Sequence, residues 1–520
     1  MWRIFAKKQT ENENVMKLNY KRTILVGFAF FLISAFWQAY DAIVPLALTN
    51  HFGLPQFASG IVMSIDNVLA VFMLPIFGAI SDKVMTRFGK RTPFIVVGTV
   101  AAIISFVALT FVDASQLKAL ADAGITADFE AAKAALASVK EQFADAAGAG
   151  DAAAISAIAS AEEVFAAAKA VLQERAYEIT MANALPLIIF MAILLITLIA
   201  MAIFRSPAVA LMPDVTIKPL RSKGNAIINL MGTAGGIIVL VLGMVFATSS
   251  NLYMQYTGYV VAVCSVMAIG LLIFIFTVKE KKWAEEMAEE TVSLGLEEPQ
   301  SSESEKRALS KPELKSLLLI LASVALWYVG YNSITSKYSV YATNVLGFDF
   351  NFTLIVAQAA AVVAYIPVGM IASKIGRRKT ILAGITMLGA AFLIGALIEP
   401  TTPAVVMYPV FALAGIGWAT INVNSFPMVV ELAKGGEVGK YTGYYYTASM
   451  SAQIVAPILA GALYDLFDTF TNNNGMRLVF FPFGVLFVAL SFVTMFLVKH
   501  GDAKPVKQGA LESLAGGEDD

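Results

Sequence analysis

Long apolar runs alternate with short polar segments along almost the whole chain, and this pattern predicts membrane-spanning helices. A helix needs about 20 apolar residues to cross the hydrocarbon core of a bilayer. Helices are expected because backbone groups that face lipid must find hydrogen-bond partners within their own segment. We therefore expect an all-α integral membrane protein. Twelve such runs occur, at residues 23–47, 58–81, 92–112, 183–205, 224–247, 256–278, 315–343, 351–373, 379–398, 403–424, 442–464 and 476–498.

Two similar polar segments follow the second and the eighth apolar runs, and they indicate an internal repeat. The first is FGAISDKVMTRFGKRTPFIVVG at 77–98, and the second is VGMIASKIGRRKTILAG at 368–384. Gly78 in the first segment matches Gly369 in the second. The chain is thus expected to contain two related six-helix halves. These are an N-terminal half at 23–112 and 183–278 and a C-terminal half at 315–498, joined by a charged linker at 279–314.

Residues 113–182 interrupt the N-terminal half between the third and fourth runs with a segment rich in Ala, Glu and Lys. Its apolar residues recur at helical spacing on two stretches separated by GAGD at 148–151, which predicts two antiparallel amphipathic helices outside the membrane. One interpretation is passive packing against the transmembrane helices. The other is a lid, or a docking surface for a partner.

Composition supports a membrane location and argues against several kinds of site. Hydrophobic residues make up 58% of the chain and charged residues only 14%, with a mean hydropathy of +0.72, whereas soluble domains carry about 25% charged residues. The net charge of −1 gives no reason to expect nucleic acid. A single cysteine, Cys264, and two distant histidines, His51 and His500, argue against disulfides, metal sites and cofactors.

Most Lys and Arg residues lie in the loops on the same side as the two termini, which predicts a cytoplasmic location for that side. The N-terminus at 1–22 and the tail at 499–520 are then cytoplasmic, and the 113–182 insertion is extracytoplasmic. The polar N-terminus precedes a run long enough to span, so we expect a retained first helix rather than a cleaved signal peptide. The protein is expected to act as a monomer in the plasma membrane.

The polar segment after the second run predicts a charged latch. Asp82 stands at a helix end, where it can hold neighbouring basic residues and the positive end of another helix. Gly78 lets helices approach closely. The alternative is topological: basic residues here simply keep the loop on the cytoplasmic side. In the second copy Ser373 stands where Asp82 would be, which weakens a matching latch in the C-terminal half.

Several segments resemble one branch of the major facilitator superfamily, the glycoside–pentoside–hexuronide:cation symporters and the related sucrose transporters. They are SDKVMTRFGKRTPFI, FRSPAVALMPDVTIKPLRSKGNAIINLMGTAGG, GIGWATINVNSFP and TGYYYTASMSAQIVAPILAG. The resemblance implies twelve helices in two halves, with a solute site between them near mid-membrane. It also implies a cytoplasmic gate that comprises Gly78, Asp82, Arg87, Lys90, Arg91, Arg205, Asp214, Arg221, Arg377, Arg378 and Glu431.

Ionisable residues at mid-membrane depth are functional candidates, because a charge there is costly. Asp66, in the second run, lies 16 residues before Asp82 and therefore about 24 Å along the helix. A carboxyl group at that depth can take up a proton, or it can bind Na⁺ together with Asn67. The alternative is a satisfied hydrogen bond between helices. We expect a role in cation coupling.

Asp41, in the first run, is the second carboxylate candidate, for solute binding and for coupling. Gln38 and Asp41 lie on one helix face, and Trp37 lies about one turn before Asp41. A carboxylate that accepts two sugar hydroxyls beside an aromatic ring is common in carbohydrate sites. The alternative is that Asp41 lies at the outer interface.

Lys337 is the one basic residue in the outer membrane region of the C-terminal half. It can pair with Asp41 or Asp66, or its side chain can snorkel to the outer headgroups, and we favour snorkelling. Other polar side chains at helical spacing are candidate solute ligands, although such residues also join membrane helices. They are Tyr331, Asn332, Gln358, Trp418, Asn422, Tyr446 and Gln453.

These observations predict a secondary active transporter that imports a sugar, glycoside or oligosaccharide together with a cation, the proton being favoured over Na⁺. The first alternative is a transporter of an amphipathic drug or lysolipid, which a cavity lined by Met and Phe would favour. The second is a receptor that binds solute without transport. An enzyme is not expected, because the sequence shows no nucleophile–base set and no phosphate loop.

Overall fold

The computed structural model describes residues 18–217, 220–294, 310–399, 402–430, 432, 438–471 and 474–500. These residues are almost entirely helical, which confirms the all-α prediction. The helices are α1 (Tyr20–Leu46), α2 (Gln56–Lys83), α3 (Thr92–Asp122), α4 (Ile125–Gly148), α5 (Ala152–Ala182), α6 (Leu185–Asp214), α7 (Arg221–Val245), α8 (Thr257–Thr277), α9 (Glu280–Ser293), α10 (Lys311–Thr335), α11 (Phe350–Ile375), α12 (Arg377–Ala396), α13 (Met407–Val430), α14 (Val438–Thr471) and α15 (Gly475–Phe496).

Eleven helical segments among the described residues are long and apolar enough to cross a membrane. The predicted eighth span corresponds to α11, whose apolar part, Phe350–Tyr365, is shorter. Several helices are longer than their apolar runs indicated. Helix α3 continues ten residues beyond 112 to Asp122, and α6 continues nine residues beyond 205 to Asp214.

The same packing pattern occurs in both halves, as expected of an internal repeat. In the N-terminal half, α1 packs on α7 and α8, while α3 packs on α6 and α8. In the C-terminal half, α10 packs on α14 and α15, while α12 packs on α13 and α15. The two halves meet where α2 packs on α14 and where α7 packs on α11.

Helices α4 and α5 pack on each other as an antiparallel pair. Lys140 of α4 lies 2.7 Å from Glu162 of α5, and Arg175 of α5 lies 2.6 Å from Asp128 of α4. We call these two helices the insertion helices. The end of the bundle that carries them is the insertion end, and the opposite end, where α1 begins, is the terminal end.

Hydrogen bonds between the two halves are concentrated at the insertion end. Among the described residues, those that join the halves by hydrogen bonds lie at or near this end, with one exception. The exception is the bond from Gln358 to Gln38 in the middle of the bundle. The bundle is therefore closed at the insertion end by polar contacts between the halves.

Candidate functional site

One face of α1 points into the space between the two halves. Gln38 Oε1 accepts a hydrogen bond of 2.6 Å from Gln358 Nε2, on α11 of the other half. The hydroxyl of Ser339, also in the C-terminal half, donates to the backbone oxygen of Asp41 at 3.2 Å. The helical spacing of Trp37, Gln38 and Asp41 predicts this shared face, and the contacts of Gln38 and Asp41 direct it toward the other half rather than toward lipid.

Asp41 is exposed although its neighbours Tyr40 and Ala42 are buried. Because the face of Asp41 is directed between the halves, its exposure indicates a water-accessible hollow inside the bundle. Trp37 Nε1 and the Tyr40 hydroxyl beside it are buried without a hydrogen-bond partner. A buried polar atom without a partner is costly.

Asp66 lies ten residues into α2 and faces the same hollow. Its Oδ1 accepts a hydrogen bond of 2.8 Å from Asn67 Nδ2. Asp66 is close enough to Asp41 and to Arg205 to interact electrostatically with both. The two carboxyl groups predicted from the sequence therefore lie in one electrostatic cluster.

Arg205, which is predicted for the cytoplasmic gate, directly precedes Ser206, which lies against the gate residue Gly78, and its side chain reaches the central hollow. The guanidinium group lies 5.7 Å from the centre of the Trp37 ring and interacts electrostatically with Asp66 and Tyr446. The apolar run ends at Arg205, but the helix continues to Asp214, about 13 Å further. Arg205 consequently faces the central hollow. The described residues include no hydrogen-bond or ion-pair partner for its guanidinium group.

Aromatic side chains of the C-terminal half line the opposite wall of the hollow. Tyr331 stacks on Trp418 with ring centres 6.1 Å apart, and Tyr365 meets Trp418 edge to face at 6.3 Å. Asn422 interacts with the Tyr365 hydroxyl, and Tyr331 lies within electrostatic range of Asp41. Of the predicted solute ligands, Tyr331, Trp418 and Asn422 thus form one cluster on this wall.

Three other predicted solute ligands, Asn332, Gln453 and Tyr446, are not part of this cluster. Asn332 Nδ2 donates to the Tyr328 carbonyl at 2.8 Å, and Gln453 Nε2 donates to the Ser449 carbonyl at 3.2 Å. Both amides are therefore engaged by their own helices. Tyr446 is half exposed and interacts electrostatically with Arg205 across the halves.

The snorkelling predicted for Lys337 is wrong. The residue is completely buried, and its Nζ donates a hydrogen bond of 2.6 Å to Ser59 Oγ on α2. Asp465 on α14 provides the nearby negative charge. Because the chain turns at 336–337, after α10, the side chain is directed at the other half rather than at the headgroups. Lys337 belongs to the closed insertion end.

The latch segment forms a clasp within the N-terminal half. Arg91 Nε lies 2.7 Å from Asp214. One terminal nitrogen of the guanidinium group bonds Asp82, and the other contacts Ser81. Burial lowers the pKa of Arg91, but Asp214 and then Asp82 raise it more, so its net pKa lies above the ordinary value. The clasp joins the ends of α2, α3 and α6. A Cβ at Gly78 would lie 2.9 Å from the Ser206 hydroxyl, so α2 and α6 approach closely here.

Glu280 completes the clasp and was missed by the sequence reasoning. Its two carboxylate oxygens accept hydrogen bonds of 2.6, 2.8 and 2.7 Å from the backbone N–H groups of Lys90, Arg91 and Thr92. Only 3% of Glu280 is exposed. It caps the start of α3 with a negative charge, as helix N-termini favour. The charge run EKKWAEE around it conceals this role, although a buried Trp283 three residues later gives a weak hint.

The remaining predicted gate residues make contacts outside the clasp. Arg221 donates to the carbonyls of Thr216 and Pro213 at the end of α6. Arg87 is exposed, 4.6 Å from the centre of the Phe88 ring. Arg377 begins α12, and Arg378 bonds the backbone oxygen of Phe496. Glu431 lies outside the described residues. The described residues also contain no group of three or more His, Cys, Asp or Glu side chains that could hold a metal ion.

The family model of the Major Facilitator Superfamily matches residues 5–162, 177–450 and 350–516, which together cover most of the chain. The chain belongs to the major facilitator superfamily. This major facilitator protein is therefore a multi-pass membrane transporter, and the family and fold imply a non-enzymatic function. Among curated proteins, no sequence matches it.

Solved structures share the fold of this major facilitator protein. The inward-open xylose transporter XylE from E. coli is 12% identical, with a TM-score of 0.58 over 95% of this chain and 98% of that one. A D-xylose-proton symporter is 13% identical, with a TM-score of 0.57 over 92% and 97%. A POT family transporter in complex with 5-aminolevulinic acid is 10% identical, with a TM-score of 0.59 over 92% and 96%. At these identities the likeness establishes the fold alone.

Proposed function

We propose that this protein is a symporter that moves a sugar, glycoside or oligosaccharide together with a proton by alternating access. The observation that carries the proposal is the cluster of Asp41, Asp66, Arg205 and Trp37 in a hollow shared by the two halves. Both termini are cytoplasmic in this proposal, and the insertion helices are extracytoplasmic. The resemblance to sugar–cation symporters and the fold shared with a xylose transporter and a D-xylose-proton symporter agree with it.

Asp66 is the proposed proton carrier. Its carboxyl group lies near both a second carboxyl group, Asp41, and the guanidinium of Arg205. A proton on Asp66 removes the repulsion between the two carboxylates, which favours solute binding at Asp41. By reciprocity, bound solute raises the proton affinity of Asp66 to the same extent.

The walls of the hollow suit a sugar better than an apolar solute. The Tyr331–Trp418 pair on one wall offers flat faces for the C–H surface of a sugar ring, and Trp37 on the other wall carries the Arg205 guanidinium over its ring. The amides Gln38 and Gln358 offer donors and acceptors for hydroxyl groups. A wall of Met and Phe side chains would suit a drug or lysolipid better.

Asp66→Asn tests the coupling. Counterflow of labelled mono- and disaccharides in proteoliposomes, with and without sodium, first identifies a transported sugar. Asp66→Asn should then abolish accumulation against a gradient while leaving exchange intact, because an amide cannot carry a proton. Asp145→Asn, on the exposed surface of α4, is the matched control and should accumulate sugar normally. Normal accumulation by Asp66→Asn would exclude the coupling role.

One observation favours a second candidate, a transporter of acidic sugars. Arg205 has no hydrogen-bond or ion-pair partner among the described residues, and it lies over the Trp37 ring facing the hollow. A free guanidinium fork matches a carboxylate in a bidentate manner. Counterflow of a glucuronide against the corresponding glucoside distinguishes the two candidates, and Arg205→Lys should reduce glucuronide transport more than glucoside transport.

A further inference from the structure

At the insertion end, a carboxylate of one half caps a helix of the other. Asp465 of α14 accepts hydrogen bonds from the backbone N–H groups of Gln56 at 2.9 Å and Phe57 at 2.7 Å. These are the first two residues of α2, and N–H groups in the first turn of a helix have no partner within the helix. A negative charge is also favourable at that position. Separation of the halves at this end must break both hydrogen bonds.

Close backbone packing accompanies this cap. A Cβ atom at Gly60 of α2 would lie 2.3 Å from the backbone oxygen of Pro457, and one at Gly461 of α14 would lie 2.3 Å from that of Gln56. The buried bond from Lys337 to Ser59 lies in the same region. The insertion end is therefore a closed gate between α2 and α14.

The insertion helices are fastened mainly to the N-terminal half. Lys133 Nζ of α4 donates to the backbone oxygen of Ser250 at 2.7 Å, and Asn251 Nδ2 donates to Glu130 at 2.7 Å. On the other side, Gln116 of α3 donates to the Thr180 hydroxyl of α5 at 2.9 Å. The insertion helices are thus expected to move together with the N-terminal half.

One side chain of the insertion helices reaches the C-terminal half. Lys169 Nζ of α5 donates to the backbone oxygen of Asn344, in the short helical segment Tyr341–Leu346 that precedes α11. The side chain of Asn344 in turn donates to Asn50 Oδ1 at 2.8 Å, in the helical segment Ala47–His51 that follows α1. Asn344 is therefore held from two directions by the N-terminal half.

We propose that the insertion helices are a clamp that stabilises the state closed at the insertion end, with Lys169 as the residue that grips the C-terminal half. The inference rests on the alternating access of the proposed function, because only in such a cycle must the Lys169–Asn344 contact break and re-form. It is independent of the solute and of the coupling ion. Passive packing of the insertion helices, in contrast, would leave the balance between the two states unchanged.

Distances between spin labels at the terminal end measure this balance. Ile80 of α2 and Tyr444 of α14 are both exposed and can be replaced by labelled cysteines. The only native cysteine, Cys264, is buried and is replaced by serine. Double electron–electron resonance on the full chain in lipid nanodiscs then gives a long distance when the terminal end is open and a short one when it is closed.

Lys169→Met should raise the ratio of the short to the long distance by about three- to tenfold, since one hydrogen bond of a partly exposed side chain is lost. Lys140→Met is the matched control, because Lys140 pairs with Glu162 within the insertion helices and touches neither half through that bond. It should change the ratio less than about twofold. Lys169→Arg keeps a charged donor, so its ratio should be close to that of the parent protein.

An unchanged ratio in Lys169→Met, or an equal change in Lys140→Met, would overturn the clamp. Thermal unfolding of each labelled variant shows whether it has folded before its distances are compared. A different result would count against alternating access itself: a single distance in the parent protein and in all variants, whichever solute is added. The two failures are therefore distinguishable.

Discussion

Replacement of Gly461 by alanine should open the insertion end. A Cβ at this position would lie 2.3 Å from the backbone oxygen of Gln56, 2.7 Å from its carbonyl carbon and 2.9 Å from the backbone nitrogen of Phe57. All three atoms belong to the backbone, so no side-chain rotation can make room. Ordinary contact begins at 3.4 Å, so α2 and α14 must separate by about 1 Å.

This separation of α2 and α14 has a cost in free energy. Overpacking a tight contact typically costs about 1–3 kcal/mol, which is about a 5- to 150-fold change in an equilibrium constant. The Asp465 hydrogen bonds of 2.9 and 2.7 Å to the start of α2 would also lengthen beyond hydrogen-bonding distance. The better helix propensity of alanine, about 1 kcal/mol, applies in both states of the transporter and cancels.

The distance pair at Ile80 and Tyr444 reports the outcome. Gly461→Ala should convert most of the long-distance population into the short-distance one. Gly443→Ala is the matched control on the same helix, because nothing lies within 4 Å of its would-be Cβ. It should leave the populations unchanged. A parent-like ratio in Gly461→Ala would show that close packing of α2 on α14 does not hold this end closed.

Two further predictions concern charged groups outside the membrane. Glu280→Ala should lower the free energy of unfolding by about 2–4 kcal/mol, because three backbone N–H groups at the start of α3 lose a buried acceptor; thermal melts against exposed Glu285→Ala check this. Burial lowers the pKa of Lys169 to about 8. The charge of Glu162 raises this pKa, and the charge of Lys140 lowers it further. Lysine is charged below its pKa, so raising the pH from 7 to 9 should weaken the clamp and increase the short-distance population, whereas Lys169→Arg should show no such step.

The sequence is sufficient to predict the helices and the repeat because both depend on local composition. Runs of about 20 apolar residues are required of any helix that crosses lipid. The face that carries Trp37, Gln38 and Asp41 also follows from helical spacing alone. The structure directs this face toward the other half, near Asp66.

Sequence reasoning falls short where a role depends on residues distant in the chain or on a helix end. Lys337 bonds Ser59, 278 residues away, and no local pattern distinguishes that contact from snorkelling. Arg205 ends its apolar run, so hydropathy places it at the membrane edge, whereas α6 continues through Pro207 and Pro213. Glu280 is one acid in a charge run, and only the three-dimensional structure shows that it is buried.

The hairpin formed by α4 and α5 gives this protein a rigid handle outside its transmembrane bundle. Helix α5 alone has 31 residues and is therefore about 46 Å long. The connecting turn is exposed at Gly148 and Gly150, and no atom lies within 4 Å of a Cβ built at either glycine. A small folded protein grafted into this turn would provide an alignment mark for electron cryo-microscopy of a 55.6 kDa chain. Because the hairpin is fastened mainly to one half, the tilt of that mark would show directly how far the half rotates.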